Sequence, residues 1–143
     1  MILIDANVLL YAYDAASPRH EKAKEWFEGV MSDEADVRFG LMTLLAFVRL
    51  ATDLRVFDRP LEPARAVAIV ESWLARANVS IAQPSERHWA ALAAQSTTAK
   101  VRGALIMDAH LATLTIEHGA TLATTDRDFA RFTGLRFEDP LSR

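Results

Sequence analysis

Four aspartates in this chain stand where they can act together: Asp5, Asp108, Asp126 and Asp128. Asp5 ends the apolar run Met1-Ile2-Leu3-Ile4, which reads as a strand buried on both faces. Asp126 and Asp128 follow Thr121-Leu122-Ala123-Thr124, a second such run. Ligands of open α/β sheets bind beyond the carboxyl ends of the strands, so these acids belong at one sheet edge. Asp108 lies near the start of a helix, and its i+3 and i+4 neighbours, Leu111 and Ala112, put it at the border of the buried stripe. Carboxylates gathered in one place are costly unless a cation neutralises them. Oxygen-only ligation favours Mg²⁺ or Mn²⁺ over zinc. Such an ion polarises a phosphoryl group and activates water. Three of the acids also have an ordinary structural use. Asp126 is a good N-cap, Asp128 suits a first helical turn, and Asp5 can cap the turn into residues 7 to 13.

Other chemistry finds little support. The chain has no Cys, which excludes thiolate zinc sites, disulfides and a Cys nucleophile, and agrees with a reducing compartment. His20, His88, His110 and His118 lack zinc-ligand spacing; His118 reads as a last-turn residue and His110 as a neighbour of the apolar face. There is no G-x-S-x-G elbow, P-loop or G-x-G-x-x-G. An aspartyl-nucleophile phosphatase would want a second Asp where Asn7 stands. The net charge of −3 argues against a broad electrostatic grip on nucleic acid but leaves room for a local one.

The elements that must position the acids fit one domain, residues 1–143, with an ordinary apolar share of 51%. Asp5 and Asn7 break the first apolar stretch, and no basic segment precedes it, so neither a signal peptide nor a membrane span is expected. Ser17-Pro18 opens a helix with the stripe Ala23, Trp26, Phe27 and Val30, closed by the polar stretch Ser32 to Asp36. Leu44, Phe47, Val48 and Ala51 repeat the spacing in a further helix. Pro63 opens the next, with Val67, Val70, Leu74 and Ala77 inward. Val79-Ser80-Ile81 is a strand. A helix from Pro84-Ser85 to about Thr98 carries Trp89 and Leu92 inward. The helix Ala104 to His118 buries Leu105, Ala109, Ala112 and Ile116, with Gly119 just past its end. A short helix after Asp126 holds Phe129 and Phe132, and Leu135-Arg136-Phe137 is an edge strand. The order β-α-α-α-α-β-α-α-β-α-β indicates an α/β domain with a small parallel sheet.

Four segments of the chain together resemble a known family. Ile2-Leu3-Ile4-Asp5-Ala6-Asn7-Val8-Leu9-Leu10 is similar to the first strand and D-x-N motif of PIN-domain proteins, specifically the VapC toxins of prokaryotic toxin–antitoxin pairs. Phe47-Val48-Arg49-Leu50-Ala51-Thr52 resembles the F-x-R-x-x-T signature of one subgroup. Met107-Asp108-Ala109-His110-Leu111-Ala112 resembles the D-A-h-x-A motif, and Thr124-Thr125-Asp126-Arg127-Asp128-Phe129 resembles [ST]-x-D-x-D-F. Each motif is weak alone, but four in order at the right spacing are specific, and the match runs over nearly the whole chain. The resemblance implies a three-layer α/β/α sandwich and a Mg²⁺- or Mn²⁺-dependent endoribonuclease. It also implies a cytoplasmic, often dimeric toxin, silenced by a cognate VapB-type antitoxin inserted into the acidic groove. The family's metal-binding acids fall on Asp5 and Asp108, with Asp126 helping. Asp128 is more peripheral, Asn7 is a polar helper, and Thr124 or Thr125 orients the site.

One departure stands out. Many PIN domains carry a Glu in the segment Leu44 to Arg49, aligned here with Phe47. Phe47 shares the stripe of Leu44, Val48 and Ala51, so it is either plain core or a lid on the metal pocket. The F-x-R-x-x-T subgroup shares the departure, so the resemblance still implies an active enzyme. The missing acid nonetheless leaves a second function class open. That is a non-catalytic module whose acidic pocket holds a metal or a basic peptide. Retention of Asp5, Asp108 and Asp126 favours the enzyme, because inward acids are costly without a use.

Overall fold

The computed structural model describes residues 1–142. Five strands form one parallel sheet: β1 (Ile2–Ile4), β2 (Val37–Gly40), β3 (Val79–Ala82), β4 (Thr121–Ala123) and β5 (Phe137–Glu138). Their spatial order is β3-β2-β1-β4-β5. The chain steps outward from β1 to β2 and β3, then returns to the other side of β1 for β4. The order therefore reverses between β1 and β4, where such sheets open a crevice at their carboxyl ends. The register pairs Ile2 with Thr121, Leu3 with Leu122 and Ile4 with Ala123.

Alternation along the strands feeds two cores. Ile4, Val37, Phe39 and Val79 pack against α1 (Ala6–Tyr13), α2 (His20–Ser32), α3 (Leu41–Ala51) and α4 (Pro63–Leu74). Leu3 and Leu122 point the other way, onto α6 (Leu105–Glu117), which pairs with α5 (His88–Thr98). This is the α/β/α sandwich expected. A 3₁₀ turn, Arg127–Arg131, brings Phe129 into the second core. Gly40 allows α6 to lie close to the sheet, because a Cβ there would stand 3.1 Å from the Leu114 side chain.

Several details differ from the sequence reading. Strand β2 was not foreseen: Val37-Arg38-Phe39-Gly40 has a charge in its middle and no apolar run. Arg38 is accommodated because its guanidinium pairs with Asp36 at 3.2 Å and donates to His118 Nδ1 at 3.0 Å. Helix α2 begins at His20 rather than at Ser17, whose Oγ accepts from Arg19 N at 3.1 Å in the preceding turn. The buried face of α4 is Ala66, Ile69, Val70 and Trp73, and Val67 is exposed; Leu74 is only half-buried and Ala77 lies beyond the helix. Apolar residues occupy most of α4, so several stripes fit its sequence, and the area of the indole decides among them. Trp89 is 77% exposed rather than inward, because the neighbouring His88 takes the buried position on α5.

Phe47 is fully buried. Its ring lies 4.9 Å from that of Trp73 and 5.6 Å from that of Tyr13, and Phe39 stacks on Trp73 at 5.5 Å. It is therefore plain core. Phe47→Ala should destabilise the protein by about 3–5 kcal/mol, the cost of emptying a core aromatic site. Urea unfolding measures this, and a loss below about 1 kcal/mol would contradict the packing described.

Candidate active site

The reversal point between β1 and β4 carries the acids. Asp5 leaves β1 with its N–H bonded to Ala123 O at 2.9 Å, so the two strand ends are held side by side. The next residue on β4, Thr124, is buried, and its hydroxyl organises the edge. Thr124 Oγ1 donates to Asp5 Oδ2 at 2.8 Å. It accepts from Asp126 N at 3.1 Å and from Asn7 Nδ2 at 3.5 Å. One hydroxyl has one proton and two lone pairs, so Thr124 is fully used. Thr125 is half-buried and makes no side-chain hydrogen bond among the described residues, so Thr124 is the orienting hydroxyl.

The ordinary structural roles of the acids are also realised. Asp5 Oδ1 caps α1 by accepting from Ala6 N at 2.7 Å, and Asp126 Oδ1 caps the 3₁₀ turn through Asp128 N at 2.8 Å. These bonds aim the carboxylates without exhausting them, since each oxygen carries two lone pairs. Asp108 faces the same crevice from the first turn of α6. Asp128 is exposed, more peripheral than the other three.

The acids feel one another. Burial raises the Asp5 carboxyl above its ordinary range, against hydrogen bonds from Thr124 and Ala6, and the charge of Asp126 raises it further. Burial, then the charges of Asp5, Asp126 and Asp128, push Asp108 up to about 6, against the pull of Arg131. Among the described residues, however, no three acids or histidines converge into a ready-built metal cage. The fit to a cation rests instead on the unrelieved repulsion and on Asn7. Its Oδ1 is buried beside Asp5 with no hydrogen-bond partner, a lone pair that a cation or a bound water would satisfy.

A groove of about 570 Å³ runs from Asp5 and Asp108 along α3, past Gly40, Thr43, Ala46 and Arg49. A larger cleft of about 670 Å³ lies among α1, α2 and α4, but it contains none of the four aspartates. Ala46 and Val48, on either side of Phe47, line this groove, while Phe47 itself is buried in the aromatic core. A carboxylate at position 47 would therefore enter the core, whereas one at position 46 would line the groove that holds Asp5 and Asp108.

A second polar cluster escaped the sequence reading. His88 Nδ1 lies 2.9 Å from Glu117 Oε2, and His88 Nε2 lies 2.8 Å from His110 Nδ1. Glu117 also accepts from Ser85 Oγ at 2.8 Å. Burial works to raise Glu117, but the bonds from His88 and Ser85 prevail and hold it below its ordinary range. Burial and then the neighbouring His88 lower His110, with Glu117 opposing. The only signal in the sequence was that His110 and Glu117 are seven apart, two turns along one helix face.

Known proteins resemble this chain in sequence and fold. The PIN domain family model matches residues 2–135. The chain belongs to the PIN-domain family. Ribonuclease VapC37 of Mycobacterium tuberculosis is 41% identical over 140 residues, covering 98% of this chain and 97% of that protein. Ribonuclease VapC43 of the same organism is 36% identical over 141 residues, covering 99% and 96%. Among solved structures, VapBC2 from Rickettsia felis, bound to a DNA fragment from the promoter, has a TM-score of 0.70. It covers 96% of this chain and 98% of its own at 17% identity, and so shows the shared PIN fold.

Two predictions follow from the acids of this PIN domain. The folded chain holds the Asp108 proton more tightly than the unfolded chain, whose ordinary value is 3.8. Stability from this group is thus full below about pH 4, falls as pH rises to about 6, and is flat above that. In EDTA, Asp108→Asn should melt with wild type near pH 4 and above it by pH 7. A constant gap in thermal melts across that range would contradict the shift. Phe47→Glu should lower the melting temperature equally with and without Mn²⁺, whereas Ala46→Glu should be better tolerated and regain stability with Mn²⁺. Rescue of Phe47→Glu but not Ala46→Glu would reverse the assignment.

Proposed function

We propose that this PIN-domain chain is a Mg²⁺- or Mn²⁺-dependent endoribonuclease and the toxin of a toxin–antitoxin pair. The observation that carries the reading is the crevice where Asp5, Asp108 and Asp126 repel one another beside the unpartnered Asn7 Oδ1. Its ribonuclease relatives, aligned over nearly the whole chain, support it.

Asp5, Asp108 and Asp126 would hold the ion, with Asn7 beside them. When bound, the ion supplies a Lewis acid for the phosphodiester and an acidified water as nucleophile. The protein's own work is positional. Thr124 fixes the Asp5 carboxylate and the Asp126 backbone in one frame. Arg49 lines the groove and Arg131 lies near enough to act on Asp108, so both can attract the phosphate backbone into an otherwise acidic crevice. Leu45 and Met107 give the groove apolar walls beside the acids.

The same groove suits a cognate VapB-type antitoxin. Leu41, Met42, Leu45, Ile106 and Met107 are large apolar residues left 38–55% exposed on α3 and α6 around it. An inhibiting segment would cover them and present Arg or Lys to the acids. The lack of a ready-built metal cage among the described residues favours a second reading, a non-catalytic module that binds a basic peptide there.

Purified protein incubated with total RNA separates the two. Discrete fragments should form with Mg²⁺ or Mn²⁺ and vanish with EDTA, and Asp5→Asn should lower the rate at least about 100-fold while remaining folded. Expressed alone, the wild type should slow growth and Asp5→Asn should not. Intact RNA under every metal condition would leave the binding module as the function.

A further inference from the structure

We propose that His110 is a specificity-determining residue: its Nε2 accepts a hydrogen bond from the 2′-hydroxyl of a ribonucleotide lying in the acid groove. The inference rests on the ribonuclease reading and adds the contact by which ribose is told from deoxyribose.

The geometry begins at Glu117. Its carboxylate has no proton to give and accepts from Ser85 Oγ, Ser85 N and His88 Nδ1. The single N–H of a neutral His88 is therefore on Nδ1, and its Nε2 carries a lone pair. That lone pair meets His110 Nδ1 at 2.8 Å, so His110 must donate there. A neutral imidazole has only one N–H. With it committed to Nδ1, His110 presents a bare lone pair at Nε2, which has no partner among the described residues. His110 lines the groove together with Met107, Asp108 and Leu111. The role requires no change of protonation.

A fixed acceptor selects for donors. Phosphate oxygens offer none, and neither does the backbone of DNA. His110 lines the same groove as Asp108, where the sugar–phosphate chain must pass for cleavage. The donor that RNA carries next to a phosphodiester is the 2′-hydroxyl. If the Glu117–His88–His110 chain only tied α5 to α6, removing His110 would lower stability without altering the preference for RNA.

Two measurements test this on the full chain. ¹⁵N NMR of the imidazoles should show His110 protonated at Nδ1 and bare at Nε2; the opposite tautomer overturns the proposal. Fluorescence anisotropy in EDTA then compares short labelled single-stranded RNA and DNA of one mixed sequence. Wild type should prefer RNA by about 3- to 10-fold, the worth of one hydrogen bond. His110→Ala should bring RNA affinity down to that for DNA and leave DNA affinity unchanged. His110→Gln, which retains an acceptor, should keep part of the preference. His110→Phe makes the same comparison with the ring's bulk in place, should the alanine variant unfold. A preference that persists in His110→Ala or His110→Phe overturns the proposal alone. If wild type binds neither nucleic acid and cuts no RNA, the ribonuclease reading falls and this inference with it.

Discussion

The pairing of β1 with β4 is the constraint on which the site depends. Three residues on each strand, Ile2–Ile4 and Thr121–Ala123, meet in parallel, and the next residue on each is Asp5 or Thr124. A shift of one residue in that register would turn Leu3 and Leu122 to the opposite face and separate Asp5 from the Thr124 hydroxyl. The strands are short, but Leu3 and Leu122 are buried together in the second core while Ile4 is buried in the first, so a slip of β1 would cost packing on both faces. The apolar packing thereby places a carboxylate that polar forces alone would not hold there.

That placement works against stability. Asp5 and Asp108 are both driven toward the neutral form by burial, and then by neighbouring charge: Asp126 acts on Asp5, and Asp5, Asp126 and Asp128 act on Asp108. The scaffold offsets this with bonds that restrain the acids without neutralising them: two to Asp5, from Ala6 and Thr124, and one to Asp126, from Asp128. No Lys or Arg makes an ion pair with Asp5, Asp108 or Asp126 among the described residues, so the field of the crevice stays negative. A crevice built this way is prepared for positive charge, whether an ion or a guanidinium from a partner.

Much of this was legible in the sequence. Strands β1 and β4 announced themselves as apolar runs ending in acids, and their parallel arrangement alone put Asp5 and Asp126 at one edge. What failed did so for physical reasons. Strand β2 hid behind Arg38, whose charge is satisfied by Asp36 close by and by His118 from a distant part of the chain. Helix α4 is apolar nearly all round, so its phase is set by Trp73 settling among Phe27, Phe39 and Phe47 rather than by its own pattern. The burial of Phe47 on α3 is a similar case: Ala46 and Val48 beside it line the groove, while its own ring turns into the core, because adjacent residues lie about 100° apart on a helix. The cluster of His88, His110 and Glu117 joins two helices, and spacing within one helix could show only half of it.

Asp5 and Thr124 are 119 residues apart in the chain. At roughly 5–20 residues per second of synthesis, the first waits roughly 6–24 seconds for the second. Through that interval the nascent chain lacks β4, and with it the acid crevice. Until then Asp5 has no Thr124 hydroxyl to orient it. The order of the strands acts as a timer: the crevice can assemble only after β4 has been synthesised.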